Sequence, residues 1–247
     1  MGQPALDTLF TAHQQIQQDV PFSSAVNGWL QTEGDQTRQY LAQALGVAST
    51  TLTLTEDVTV GCNIPLWGMP WQAGDHILLS DCEHPGIVMT VRELSRRYGL
   101  DVSFFPILPA INTVNVLEEI AAHLRPTTRL VIISHILWNT GQVLPLREIN
   151  ALCHGKGARV LVDAAQSVGM LPLQLAETET DFYAFTGHKW LCGPAGLGGL
   201  YVSAAARAEL HPTYIGWRGI KVAAQGQPTG WMPDGRRFEI ATSDGAH

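Results

Sequence analysis

Nothing in this chain is apolar for long enough to cross a bilayer. Its longest apolar runs, such as Leu130–Ile133 and Gly196–Val202, fall far short of the roughly 20 residues a membrane helix needs. Cysteine is scarce and scattered. Cys62, Cys82, Cys153 and Cys192 show no CxxC spacing, which argues against a disulfide framework and a structural zinc site; most read as small buried hydrophobes. Basic residues are outnumbered and form no run. The formal net charge of −7 argues against nucleic acid as the main partner. The start, Met1-Gly-Gln-Pro-Ala-Leu, lacks the basic residues and apolar core of a secretory signal, and no Ser/Thr follows Gly2 to complete a myristoylation signal. The expected location is therefore cytoplasmic. HExxH-type metal spacing, a Walker loop, a GxGxxG after a strand, internal repeats and low-complexity tracts are also missing. The glycine-rich stretch Gly193–Gly199 precedes a strand rather than a helix, so it is not expected to cradle a nucleotide.

What remains is an ordinary globular composition, 45% hydrophobic and 15% charged, over 247 residues. Helical patterns open the chain at Ala5–Gln18 and Asp35–Leu45, the second closing at Gly46. After Thr51-Leu-Thr-Leu the pattern alternates. Strands are expected at His76–Ser80, Val102–Phe105, Arg129–Ser134, Arg159–Asp163, Phe182–Phe185 and Gly199–Val202. Helices are expected at Gly86–Tyr98, Val114–Leu124, Leu146–His154 and Ala204–Leu210. Short apolar strands alternating with helices predict an α/β fold, a mostly parallel sheet with helices on both faces. Ligands then gather at the carboxyl ends of the strands. Beyond Leu210 a Gly/Pro/Trp-rich segment shows little periodicity.

Several polar residues fall at those strand ends. Lys189 lies in Thr186-Gly187-His188-Lys189, directly after the aromatic-rich strand, where one amine sits beside hydroxyl and imidazole donors suited to a phosphate. Such a lysine is placed to form a Schiff base. Asp163 follows three aliphatic residues, where a carboxylate is costly unless it meets a cation or several donors. It reads as the partner of a buried protonated heterocycle or as a turn aspartate; Gln166 lies one turn on. In Glu83-His84-Pro85-Gly86, Pro85 suits the first helical position and fixes His84 near a strand end, either to lie flat on a ring or as a structural residue. Thr59, in Thr59-Val-Gly61-Cys-Asn63, reads as a helix-start residue that joins Thr186 and His188 in a phosphate cup, or as an ordinary cap. Asn139, after the strand ending at Ser134, reaches a ligand or simply belongs to the turn at Gly141.

Together, Glu83-His84, Val162-Asp163-Ala-Ala-Gln166 and Thr186-Gly-His188-Lys189 with the trailing Gly193-Pro resemble the class V aminotransferase family. These are fold-type I enzymes of pyridoxal phosphate (PLP), and they include cysteine desulfurases. The resemblance implies PLP as cofactor, with Lys189 as the Schiff-base lysine, Asp163 on the pyridine nitrogen and Gln166 donating to the phenolate oxygen. It implies that His84 stacks on the ring and that Thr59, Thr186 and His188 hold the phosphate. Within the family, Thr55-Glu-Asp-Val-Thr59-Val-Gly-Cys-Asn63, the wording around Lys189 and Trp217-Arg218-Gly219 are most similar to cystine/cysteine C–S lyases. That implies β-elimination from cystine or cysteine through an internal aldimine on Lys189. Cysteine desulfuration is the nearest alternative, although none of the four cysteines matches that family's nucleophile; isopenicillin N epimerase-like chemistry is another. By the same resemblance, Trp217 and Thr242 reach the partner's site in a homodimer, with Thr242 on the other subunit's phosphate. Against the family pattern, residues 1–247 correspond to the PLP-binding large domain. An N-terminal segment and a small C-terminal domain bearing the arginine for the substrate carboxylate are expected to be missing, and a non-catalytic PLP-binding fragment is a further alternative.

Overall fold

The computed structural model describes residues 2–18, 23–108 and 115–240. Its centre is a seven-stranded sheet. The strands are β1 (Leu52–Thr55), β2 (His76–Ser80), β3 (Asp101–Phe105), β4 (Thr128–Ser134), β5 (Arg159–Asp163), β6 (Phe182–Thr186) and β7 (Gly198–Val202). They lie in the order β1-β7-β6-β5-β4-β2-β3. β3, β2, β4, β5 and β6 run parallel, while β7 and β1 close one side antiparallel.

The apolar strands of the sequence are apolar because both faces of this sheet are covered. Alternate residues of β2 and β4 point to opposite faces, as the period of two requires. Leu78, Val131 and Ile133 join one core with Leu45 of α2 (Ser24–Leu45), Ile120 of α5 (Val116–His123) and Ile149 of α6 (Leu146–His154). Ile77, Leu79, Leu130 and Ile132 join the other, with Leu66 of α3 (Val58–Gly68) and Val91 and Leu94 of α4 (Pro85–Tyr98). The expected mostly parallel, doubly covered sheet is the one found.

Boundaries differ where local chemistry outweighs periodicity. α2 begins eleven residues before the expected Asp35, because the Ser23 side chain caps it by accepting from the Val26 N–H. Gly28, Gly34 and the polar Gln31-Thr32-Glu33 dilute the apolar stripe there. At its other end Gly46 adopts φ 67° and stops the helix, as expected. α1 (Gln3–Gln18) has no buried residue. Asn115 caps α5; Val114, where the sequence pattern starts that helix, lies outside the described residues. The segment after Leu210, in which the sequence shows no period, forms a short antiparallel hairpin of β8 (Ile220–Val222) and β9 (Pro228–Trp231) after α7 (Ala204–Glu209).

Two close approaches set the distance between α3 and the sheet. A Cβ at Gly198 would lie 2.6 Å from the Asp57 Cα, and one at Gly61 would lie 3.0 Å from the Ala184 Cβ. Only glycine lets the start of α3 sit this near β6 and β7. The closing segment is tied down by charge. Arg38 of α2 pairs with Glu239 at 2.7 Å, both nearly buried, and Glu239 also accepts from the Leu54 N–H. Removing Arg38 would leave the Glu239 carboxylate buried without its cation, whereas Arg38 also pairs with Asp35 at 2.6 Å, so the pair helps fix where the chain runs toward Ile240.

Candidate active site

The register collects polar residues at one edge of an otherwise apolar sheet. Asp163 at the end of β5 lies opposite Ser134 of β4 and Ala184 of β6, and β6 ends two residues later at Thr186. Asp163 is 6% exposed. One of its oxygens accepts from the Ala165 N–H at 3.0 Å, and the other has no partner among the described residues. Burial holds its carboxyl above the usual range; the Ala165 N–H and the charges of Lys189 and His84 pull the other way. This carboxylate is placed where its ionised form lacks a close cation.

Lys189 lies three residues beyond β6, exposed, and its amine has no hydrogen-bond or ion-pair partner among the described residues. The loop that presents it is closed from behind, since Gly187 N–H donates to the Leu197 carbonyl and Gly193 N–H to the Gly187 carbonyl. Thr186 and His188 hydrogen-bond each other, Oγ1 to Nδ1 at 2.7 Å. Across from them α3 starts at Val58 behind its cap, Asp57, which accepts from the Val60 N–H. Thr59 is thus the second helical residue rather than the cap. The Val58 and Thr59 amides remain available at the positive end of the helix dipole, an arrangement suited to an anion.

His84 caps α4, with Pro85 at the first helical position as the sequence indicates. Its Nδ1 accepts from the Gly86 N–H at 3.2 Å, which leaves Nε2 as the protonated nitrogen of the neutral ring. The ring is exposed and meets Trp138 edge-on, centroids 6.0 Å apart. Asn139, next to Trp138, lies by the Cys82 thiol and opposes the burial that pushes that thiol up to about 11. Trp217 is 56% exposed in the turn before β8, and Arg218 stacks over its ring. Thr242 lies outside the described residues.

Some of the polar framework escaped the sequence reading. Glu83 stands in sequence only as the neighbour of His84, yet its buried carboxyl accepts from the Ser80 hydroxyl and from both the amide (3.0 Å) and hydroxyl (2.8 Å) of Ser134, joining the ends of β2 and β4. Under Asp163 a second chain runs from His135 Nδ1 to the Tyr183 hydroxyl (2.8 Å) and on to Ser167 (2.7 Å). Polar residues after apolar runs at three adjacent strand ends were the available signal; their pairing needed the strand order. Trp190 also belongs here, its indole N–H donating to Gln166 Oε1 at 2.8 Å.

Burial pushes the Glu83 carboxyl from 4.5 up to about 8; the Ser80 hydrogen bond opposes this, the Asp163 charge adds to it, and the Ser134 bonds oppose it again. The folded protein therefore binds this proton more tightly than the unfolded chain. That stabilisation is complete below the unfolded pKa and is lost as pH rises through about 8. Glu83→Gln, which keeps the shape of the neutral acid, is expected to match the parent at pH 5 and to exceed it by roughly 2–4 kcal/mol at pH 9 in urea unfolding.

The chain belongs to the class V aminotransferase family: the Aminotransferase class-V model matches residues 24–245. It is 33% identical over 211 residues to isopenicillin N epimerase of Streptomyces clavuligerus, covering 83% of this chain and 53% of that protein. It is 34% identical over 187 residues to the cysteine desulfurase IscS of Enterobacter sp. (strain 638), covering 74% and 45%. The cystine C–S lyase C-DES, solved with its reaction product cysteine persulfide, superposes with a TM-score of 0.97 at 49% identity, over 100% of this chain and 66% of its own. A lysine-to-alanine variant of C-DES, holding glycine covalently linked to its PLP cofactor, matches equally well, with a TM-score of 0.97 at 48% identity. The architecture is that of fold-type I PLP enzymes. The chain spans about half the length of these curated relatives and about two thirds of C-DES.

Proposed function

We propose that this chain holds PLP on Lys189 and contributes the cofactor site of a C–S lyase that splits cystine or cysteine by β-elimination. The observation that carries the reading is Asp163: a buried carboxylate with one oxygen unpartnered, within the field of the unpaired Lys189 amine. The residues present fit PLP at each of its functional groups. Asp163 would accept from the ring nitrogen, Gln166 would donate to the phenolate oxygen, and the Val58 and Thr59 amides with Thr59, Thr186 and His188 would hold the phosphate. The exposed face of His84 would lie against the ring, and Asn139 would reach the bound molecules from the β4 side.

When bound, PLP supplies an electron sink for the pair left by the substrate's α-proton. This chain's own residues do the rest. The Lys189 amine, once displaced by the substrate's amine, takes the α-proton as general base. The Asp163 carboxylate keeps a proton on the ring nitrogen throughout. Loss of the β-sulfur group from cystine, followed by hydrolysis, then gives cysteine persulfide, pyruvate and ammonia. The 49% identity to C-DES, against 33% to the epimerase and 34% to the desulfurase, supports this over the desulfurase and epimerase readings.

Product analysis on the enzyme supplied with cystine or cysteine is the test. Pyruvate and ammonia are expected; alanine with a protein-bound persulfide would replace the lyase by a desulfurase, and an inverted α-carbon by an epimerase. PLP uptake without any of these would leave a non-catalytic PLP-binding fragment. Three of the four cysteines are buried and Cys192 is exposed, so a persulfide on this chain would be sought there first.

The same reading includes a homodimer working in the cytoplasm. Tyr214 (67% exposed), Ile215 (63%) and Trp217 crowd one segment beside the exposed β8–β9 hairpin, an apolar patch of the kind a second copy would cover. Trp217 and Thr242 would then belong to the partner's site. Among the described residues no helix is long and apolar enough to cross a membrane. No group of three or more His, Cys, Asp or Glu among them is arranged to hold a metal.

A further inference from the structure

Trp190 immediately follows the lysine and is about half exposed. Its one polar atom is engaged nonetheless: indole Nε1 donates to Gln166 Oε1 at 2.8 Å. An indole N–H can only donate, so the amide atom it meets must be the oxygen. The Gln166 NH2 is thereby turned away from Trp190, and it has no other partner among the described residues.

The two loops are also docked by backbone. Gly169, three residues after Gln166, has φ 91°, and a Cβ there would lie 2.5 Å from the Trp190 carbonyl carbon. The Asp163–Gly169 turn and the Lys189–Leu191 turn are thus in direct main-chain contact. The indole hydrogen bond lies across that seam, joining the residue after the lysine to the glutamine of the aspartate turn.

We propose that Trp190 is a positioning residue which fixes the orientation of the Gln166 amide, so that its NH2 and not its carbonyl faces the bound cofactor. The proposal rests on the PLP reading given above. With the oxygen tied to the indole, the amide presents a donor to an anionic ring oxygen. Freed from it, the amide can flip and present its carbonyl, which repels the same oxygen. A donor on that oxygen favours its charged form and lowers the pH at which the neighbouring cofactor–lysine linkage loses its proton.

The test uses Trp190→Phe, which keeps an aromatic ring and removes the N–H, together with Gln166→Ala and the double variant. The pH midpoint of the visible absorbance change is read on PLP-loaded protein, and PLP affinity is measured alongside. Both single variants are expected to raise the midpoint by about half to one pH unit and to weaken PLP binding about two- to tenfold. The double variant should match Gln166→Ala, because Trp190 acts through Gln166. Melting of cofactor-free Trp190→Phe should stay close to the parent's, since phenylalanine keeps an aromatic ring in place and the lost hydrogen bond is exposed. A parent-like midpoint in Trp190→Phe, or additive shifts in the double variant, would overturn the proposal and leave the PLP reading intact. A parent protein that takes up no PLP would instead sink that reading, and this one with it.

Discussion

Lys189→Ala is expected to bind PLP without the visible absorbance of lysine-bound cofactor, and to lose lyase turnover by at least the roughly 10²–10⁴-fold that a positioned general base contributes. The loss should exceed that range, because on the proposed reading the same amine would both anchor the cofactor and accept the α-proton. The amine follows a buried strand, sits on a loop pinned by Gly187 and Gly193, and has no hydrogen-bond or ion-pair partner among the described residues. A structural lysine would be paired or would cover apolar surface with its stem, and its removal would shift melting rather than spectrum. Absorbance titration with PLP, read beside a melting curve, separates the two roles. Unchanged absorbance in the variant would remove Lys189 from the chemistry.

Asp163→Asn should act in opposite directions with and without the cofactor. In the cofactor-free protein the buried carboxylate is held above its usual pKa mainly by burial. Its ionisation therefore costs stability, and that cost grows as pH rises past the ordinary carboxylate range. Asparagine cannot ionise, so the cofactor-free variant should be more stable than the parent at neutral pH, by about 1–3 kcal/mol in urea unfolding. With PLP present the order should reverse in function. The amide cannot hold the ring nitrogen's proton as a carboxylate does, so turnover should fall by about 10²–10³-fold, as when one preorganised electrostatic group is removed. The stabilisation PLP confers should shrink as well. A variant less stable without PLP and fully active with it would make Asp163 an ordinary turn residue.

How far the sequence goes is clearest at particular residues. The strands His76–Ser80 and Arg159–Asp163 and the helix Leu146–His154 were legible to the residue, because burial on both faces leaves near-continuous apolar runs bounded by polar turns. Pro85 announced the start of a helix and the structure begins α4 there. Thr186 and His188, expected on a phosphate, hydrogen-bond each other. What escaped depended on contacts between segments distant in sequence. Glu83 meets Ser134 across 51 residues, and Trp190 meets Gln166 across 24; neither pairing has a local pattern. The β8–β9 hairpin escaped for another reason. Its residues are mostly exposed, so no alternation of polar and apolar positions marks it.

The account stands or falls on where PLP attaches. Borohydride reduction of the PLP-loaded protein makes a lysine–cofactor linkage permanent, and mass mapping of the peptides then locates it. The expected result is a single labelled peptide containing Lys189, with the label absent from Lys189→Ala. Label on Lys156 or Lys221, or none at all, would contradict the assignment of this strand-end cluster as a PLP site.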